Sequence, residues 1–144
     1  MVDIMSRQDR SRLMSRVRQR DTNPEIELRK RLHGLGLRYR LHVNGLPGRP
    51  DLVFPKHRTV LFVHGCFWHG HSCRAGRAPS TNQAYWAEKL AENARRDRRN
   101  ASALRALGWR VLTVWECKLK RPGDAEKSIE RVAREIAQAR PSEP

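Results

Sequence analysis

Long apolar runs are missing from this sequence. Nowhere does it approach the roughly 20 apolar residues in a row that a membrane-spanning helix needs. The opening MVDIMSRQDR has no apolar h-region, so a secretory signal is not expected. Cysteine is scarce, with 3 in 144 residues. An odd count in a chain expected to stay in the cytosol argues against a disulfide framework and for metal ligands. Apolar residues are few as well, at 38%, yet compact apolar runs and 4 Trp exclude a fully disordered chain. Acidic residues are also in short supply: 15 Asp plus Glu stand against 30 Lys plus Arg, a formal net charge of +15. A chain of this length builds one domain with one core. Its charge points to an acidic polymer as partner, nucleic acid first.

The charge is unevenly placed. Residues 1–40 carry net +6, 41–80 net +4 and 81–121 net +6, whereas 122–144 carry net −1. Arg outnumbers Lys 24 to 6, which suits bidentate contacts to phosphate. The segment 6–20, SRQDRSRLMSRVRQR, holds six Arg and only Leu13, Met14 and Val17 as sizeable apolar groups. With so little apolar surface, residues 1–20 are expected to form a basic arm that orders on a partner. Residues 21–140 then make the domain proper, and 141–144 a tail. No internal repeat and no obvious dimer face is evident, so a monomer is expected.

Helix and strand signals follow in alternation. TNPEIELRKRLHGLG offers Asn23 as cap, Pro24 at the first helical position and Glu25 in the first turn, with Gly34 or Gly36 to end the helix. RYRLHV, 38–43, reads as a strand. NGLPGRP is turn chemistry ahead of the apolar LVF. TVLFVHG carries four contiguous apolar residues and predicts a central strand covered on both faces. Residues 83–107 predict a long helix with Ala87, Leu90, Ala91, Ala94, Ala101, Leu104 and Leu107 on one stripe and Gly108 at its end. WRVLTVWEC predicts a second buried strand, and 124–139 a final amphipathic helix. The expected class is α/β, a short mixed sheet flanked by helices.

All three cysteines lie in metal-like company. Cys66-Phe67-Trp68-His69-Gly70-His71-Ser72-Cys73 packs two thiols and two imidazoles into eight residues, and Cys117 follows the last strand. Three Cys and one His make a tetrahedral structural Zn²⁺ site. Spacing does not choose between His69 and His71; the imidazole left over, with His64, is available for chemistry. Asp51 is the sole acidic residue between Glu27 and Glu88. It suits Mg²⁺, which binds through one or two carboxylates plus substrate phosphates. Pro50-Asp51 before a core strand opens the PD-(D/E)xK nuclease pattern, although the acid-x-Lys that normally completes it is replaced by Phe62-Val63-His64-Gly65. His69 can act as base, His64 can bind or protonate phosphate, and Glu25 can orient a histidine or hold a water. Phe67, Trp68 and Trp86 are either core rings under the loop or wedges between base pairs.

These residues together resemble the very short patch repair (Vsr) endonucleases, bacterial enzymes that nick DNA at a T·G mismatch. MSRVRQRDTNPE, GRPDLVFP, VHGCFWHGHSC, YWAEKLAENARRDRRN and GWRVLTVWEC carry the resemblance, from about Asp9 to Ile136. It implies a restriction-endonuclease-like core, Mg²⁺-dependent hydrolysis and one structural zinc. By position, Asp51 would be the Mg²⁺ ligand, helped by the Val63 carbonyl, and His69 the general base, with His64 and Glu25 in support. Zinc would be held by Cys66, His71, Cys73 and Cys117. Phe67, Trp68 and Trp86 would intercalate beside the mismatch, and Met14 of the arm would contact the minor groove. The partner would be double-stranded DNA with a T·G mispair. Such mispairs arise from 5-methylcytosine deamination, which links the enzyme to a cytosine-5 DNA methyltransferase and to the repair proteins that act on the nick. One position departs from the family's pattern: a Thr commonly precedes the strand-end histidine, and here it is Val63. A backbone carbonyl survives that change, a hydroxyl does not.

Overall fold

The computed structural model describes residues 23–66 and 81–138. The arm with Met14, the loop bearing Phe67, Trp68, His69, His71 and Cys73, and the C-terminal tail lie outside them. Helix α1 spans Asn23–Gly34, with Glu25 in its first turn as expected. It ends in paired bonds, Leu37 N–H to Leu32 O at 3.1 Å and Gly36 N–H to His33 O at 3.0 Å. That is the Schellman pattern, and its two apolar ends, Leu32 and Leu37, enter the same core cluster. Strand β1 is only Arg40–Leu41, shorter than the expected 38–43, and both residues are exposed. Strand β2 is Leu52–Phe54, a one-turn 3₁₀ helix follows at Pro55–His57, and β3 is Thr59–His64. Helix α2, Gln83–Ala106, leads to β4, Arg110–Trp115. A short α3, Cys117–Lys120, not foreseen from the sequence, precedes the amphipathic α4, Pro122–Gln138.

The four strands form one mixed sheet in the order β1-β2-β3-β4. The β1–β2 and β2–β3 pairs are antiparallel, and β3–β4 is parallel, running from Thr59↔Arg110 to His64↔Trp115. The contiguous apolar run of β3 therefore sits between two neighbours, as its composition demanded. β4 does not match the expectation of a fully buried strand: it is the sheet edge, with Arg110 exposed and Leu112 and Val114 buried. A mixed, helix-flanked sheet of this kind fits the expected restriction-endonuclease-like core.

Period-two alternation along the strands divides the core in two. One face sends Leu52, Phe54, Leu61, Val63, Leu112 and Val114 against Leu28 and Leu32 of α1 and Ile129, Val132 and Ile136 of α4. Several of these, Leu28, Leu32, Leu52, Phe54, Leu61, Val132 and Ile136, are wholly buried. The opposite face is thinner: Val53 and Val60 pack with Leu104 of α2, flanked by Val43, Leu46, Phe62, Trp109 and Val111. Gly108, at φ +92°, turns the chain from α2 into β4, with Gly108 N–H bonded to Arg105 O at 2.9 Å and Trp109 N–H to Leu104 O at 3.0 Å. Arg58 braces this corner. Its guanidinium lies 4.2 Å from the Trp109 ring centroid and donates to Leu107 O at 3.0 Å.

The buried stripe of α2 is not the one the alanines suggested. Trp86, Leu90, Asn93 and Leu104 face inward, while Leu107 lies beyond the helix and is 55% exposed. The thin second face and the polar middle of this stripe leave room for a cleft.

Candidate active site

A cleft of about 410 Å³ opens on the α2 side of the sheet, at the C-terminal end of β3. One wall is the segment Gly48–Asp51, the other is Arg96, Asp97, Asn100 and Ala101 of α2, and Phe62, Val63, His64, Val111 and Thr113 form the floor. The first wall begins as a four-residue turn, Leu46-Pro47-Gly48-Arg49, closed by Arg49 N–H to Leu46 O at 3.1 Å. Pro at the second place and a positive-φ Gly at the third, +75° here, are the type II requirements. A Cβ on Gly48 would stand 3.0 Å from both Cβ and Nδ2 of Asn100, so the turn docks tightly on α2.

Asp51 stands at the head of β2, and its Oδ2 accepts the backbone N–H of Val63 at 2.6 Å. That bond ties the carboxylate to the strand whose end lines the cleft. A carboxylate offers about four lone-pair positions, so this bond alone does not exhaust what Asp51 can accept. His64, the last residue of β3, meets the edge of Trp115, its register partner on β4, with centroids 5.2 Å apart and planes at 73°. Phe62, two residues back on the same strand face, lies 5.5 Å from the imidazole. Two aromatic neighbours thus restrict the orientation of His64 beside the cleft.

Of the residues singled out in the sequence, Asp51, Val63 and His64 line the cleft together. Glu25 is not among the cleft-lining residues; it is 3% exposed on α1 and pairs with Arg29 at 3.6 Å. Trp86 is 6% exposed, whereas the adjacent Tyr85, whose ring lies edge-on to it at 5.1 Å, is 55% exposed. An intercalating role would require Trp86 to turn out of this position.

Asp97 is a second cleft carboxylate that the sequence reading missed, hidden in the basic run RRDRRN. A signal was present. Asn93, Asp97 and Asn100 continue the Trp86–Leu90 stripe at helical spacing before Leu104 resumes it. Three successive polar residues on a face turned toward a sheet mark the place where the helix passes over a site.

The described residues supply donors of the kinds the two expected metals take. Carboxylate oxygens of Asp51 and Asp97 and a nearby backbone carbonyl are hard donors of the kind Mg²⁺ takes alongside phosphate oxygens. Among the described residues no group of three His, Cys, Asp or Glu is assembled. Mg²⁺ does not require one, and two of the four expected zinc ligands lie outside those residues. Cys66 and Cys117 each follow the paired residues His64 and Trp115 by two positions, so the parallel register delivers both thiols to one end of the sheet. Cys117 opens α3 instead of ending the strand. Among the described residues neither thiol forms a disulfide; Cys66 is buried and Cys117 half-buried.

A sequence model of the family described as DNA mismatch endonuclease Vsr matches residues 2–75, just over half of the chain. The chain belongs to the Vsr family. Among its relatives, the DNA mismatch endonuclease Vsr of Escherichia coli K12 is 47% identical over 120 residues, covering 83% of this chain and 77% of that protein. The Type II nicking enzyme V.XorIIP of Xanthomonas oryzae is 48% identical over 132 residues, 92% of this chain and 97% of the relative. The Type II nicking enzyme V.NmeAIP of Neisseria meningitidis is 41% identical over 139 residues, 96% and 99% of the two chains. As a Vsr protein the chain is a member of a family of DNA endonucleases, and Asp51, Val63 and His64 fall inside the matched segment, whereas the α2 and β4 residues of the cleft lie beyond it. No helix among the described residues is long and apolar enough to cross a membrane.

Proposed function

We propose that this protein is a Mg²⁺-dependent DNA mismatch endonuclease that nicks one strand 5′ of the mismatched T in a T·G pair and so initiates very short patch repair. The observation that carries the reading is the Asp51 carboxylate, anchored to Val63 N–H in a cleft beside His64, within a chain of the Vsr family. The relatives' names, mismatch endonuclease and nicking enzyme, support the reaction class.

Asp51, with the Val63 carbonyl, would hold Mg²⁺, which when bound supplies charge neutralisation for the phosphate. His69 would take a proton from the attacking water as its oxygen bonds to phosphorus. The bond from phosphorus to the 3′ oxygen breaks, that oxygen gains a proton, and a 3′-hydroxyl and a 5′-phosphate remain. His64, restricted by Phe62 and Trp115, would donate to the phosphate. Glu25, buried on α1, would support from behind. Cys66, His71, Cys73 and Cys117 would hold the structural zinc that pins the loop carrying Phe67, Trp68 and His69. Those rings, with Trp86 and with Met14 of the arm, would wedge beside the mispair, where weaker stacking lowers the cost of opening the duplex. A cytosine-5 DNA methyltransferase in the same cell would generate the substrate by way of deamination, and the nick would pass to other repair proteins.

The test is strand-resolved nicking of duplexes with a single T·G pair in varied flanking sequence, with Mg²⁺ and with EDTA. A single nick 5′ of the T, abolished by EDTA, is expected. Binding without any nick would show a passive DNA-binding protein, and equal cutting of the matched duplex would remove the mismatch specificity.

A further inference from the structure

Beside the two acidic residues of the cleft stand two arginines to which the proposed reaction gives no role. Arg49, from the turn wall, and Arg96, from α2, both line the cleft and are exposed. Among the described residues neither side chain makes a hydrogen bond or an ion pair, although Asp51 and Asp97 line the same space. Arginines beside carboxylates ordinarily close salt bridges. These two instead remain available to a ligand.

The backbone at Arg49 carries a second, independent observation. Its φ is +46°, the left-handed region. L side chains disfavour that region, and the following residue is Pro50, which pushes its predecessor toward extended conformations. Folding alone would favour glycine there. Strained residues of this kind persist where the surrounding structure over-determines them and cluster at ligand clamps. The over-determination is visible: the N–H of Arg49 itself closes the turn on Leu46 O, the Gly48–Asn100 contact fixes the turn on α2, and buried Pro50 follows.

We propose that Arg49 and Arg96 form a two-walled phosphate subsite that grips the backbone of the strand being cut, Arg49 at the phosphate beside Asp51 and Arg96 at a neighbouring phosphate along α2. The proposal rests on the endonuclease reading and names how that site holds its substrate. Two guanidiniums offset the formal charge of two carboxylates, so an anionic backbone can enter a cleft that would otherwise repel it. The planar fork of Arg matches two phosphate oxygens at once, which a lysine does not.

The experiment uses the full chain and a labelled duplex with one T·G pair, measuring binding against salt and single-turnover nicking at saturating DNA. Arg49→Ala and Arg96→Ala are each expected to shallow the slope of log K against log salt by about 0.9, one phosphate contact apiece. Arg49→Lys should keep the slope and lose part of the nicking rate. Arg49→Gly separates function from folding: it should unfold at the wild-type temperature or above, because the strain is relieved, yet nick at least about tenfold more slowly, the loss of one positioned phosphate contact. Arg131→Ala, on α4 away from the cleft, should leave the slope unchanged. Wild-type slopes and rates in Arg49→Gly and Arg96→Ala would overturn the subsite while leaving the endonuclease reading intact. A wild-type protein that binds but never nicks, with slopes that still shallow in the variants, would overturn the endonuclease reading and keep the subsite.

Discussion

Replacing Gly48 by Ala puts the docking of the Asp51 segment to a quantitative test. At φ +75° an alanine occupies the left-handed region, which costs an L residue about 1–2 kcal/mol. Its new Cβ would stand 3.0 Å from Asn100 Cβ, 3.0 Å from Nδ2 and 3.2 Å from Cγ. Nδ2 and Cγ can swing aside, but Cβ belongs to the helix, so the turn itself must retreat by a few tenths of an ångström. Overpacking of this size adds about 1 kcal/mol. The variant should therefore be destabilised by about 2–3 kcal/mol, lowering the thermal midpoint by roughly 5–10 °C for a domain of this size. The same retreat moves Asp51, three residues on, and displacements well under an ångström at a reacting centre cost about tenfold or more in rate. Circular dichroism melts and single-turnover nicking read the two effects separately. A double-mutant cycle with Asn100→Gly divides the loss, since the partner change relieves the contact and leaves the φ penalty. A Gly48→Ala protein that melts within a degree of wild type and nicks at the same rate would refute the tight docking.

Asp51→Asn keeps an oxygen for Val63 N–H and should melt near wild type while nicking at least about 10²-fold more slowly, whereas Asp51→Ala also strands that amide and loses a further 1–3 kcal/mol or so of stability; melts and gel-resolved nicking check both. Arg58→Ala removes the Trp109 contact and the bond to Leu107 O and should destabilise by about 1–2 kcal/mol in urea unfolding with little effect on DNA binding, and Arg58→Lys should recover only part. Metal analysis of purified protein should find about one Zn²⁺ per chain, and Cys117→Ser should release it and lower the melting temperature. Retention of zinc by Cys117→Ser would exclude that thiol as a ligand.

What could be read from the residues depended on how local their cause was. The run Val60-Leu61-Phe62-Val63 announces a strand covered on both sides, because no helix or edge strand of this length needs four adjacent apolar residues. Pro24 and Glu25 in its first turn and Gly36 past its end bracket α1 by chemistry that acts within one turn. The position of β4 was not local: an apolar strand reads alike at the centre of a sheet and at its edge, and the choice was made by the order β1-β2-β3-β4. Asp51 stood out because its sequence neighbours are uncharged or basic. Asp97 did not, because four arginines surround it along the chain, and it reaches Asp51 only through the packing of α2 over the sheet. Trp86 was ambiguous for a related reason, since a Trp at the start of a basic helix serves equally as a wedge or as core. In the free chain it is buried.

The hydrogen bond from Val63 to Asp51 makes the Asp51 carboxylate a rung of the sheet. Past the Leu52–Leu61 pair, the strand β2 has no further residue in the ladder, and a side-chain oxygen receives the next amide in place of a backbone one. Any fluctuation that releases the carboxylate must also open that rung, so the group proposed to hold the cation shares the sheet's resistance to local opening instead of a loop's mobility. The amide proton of Val63 thereby becomes a resident gauge of the site. Its exchange with solvent measures how often Asp51 lets go, and its chemical shift will move when a divalent ion draws on the same carboxylate, with no DNA present.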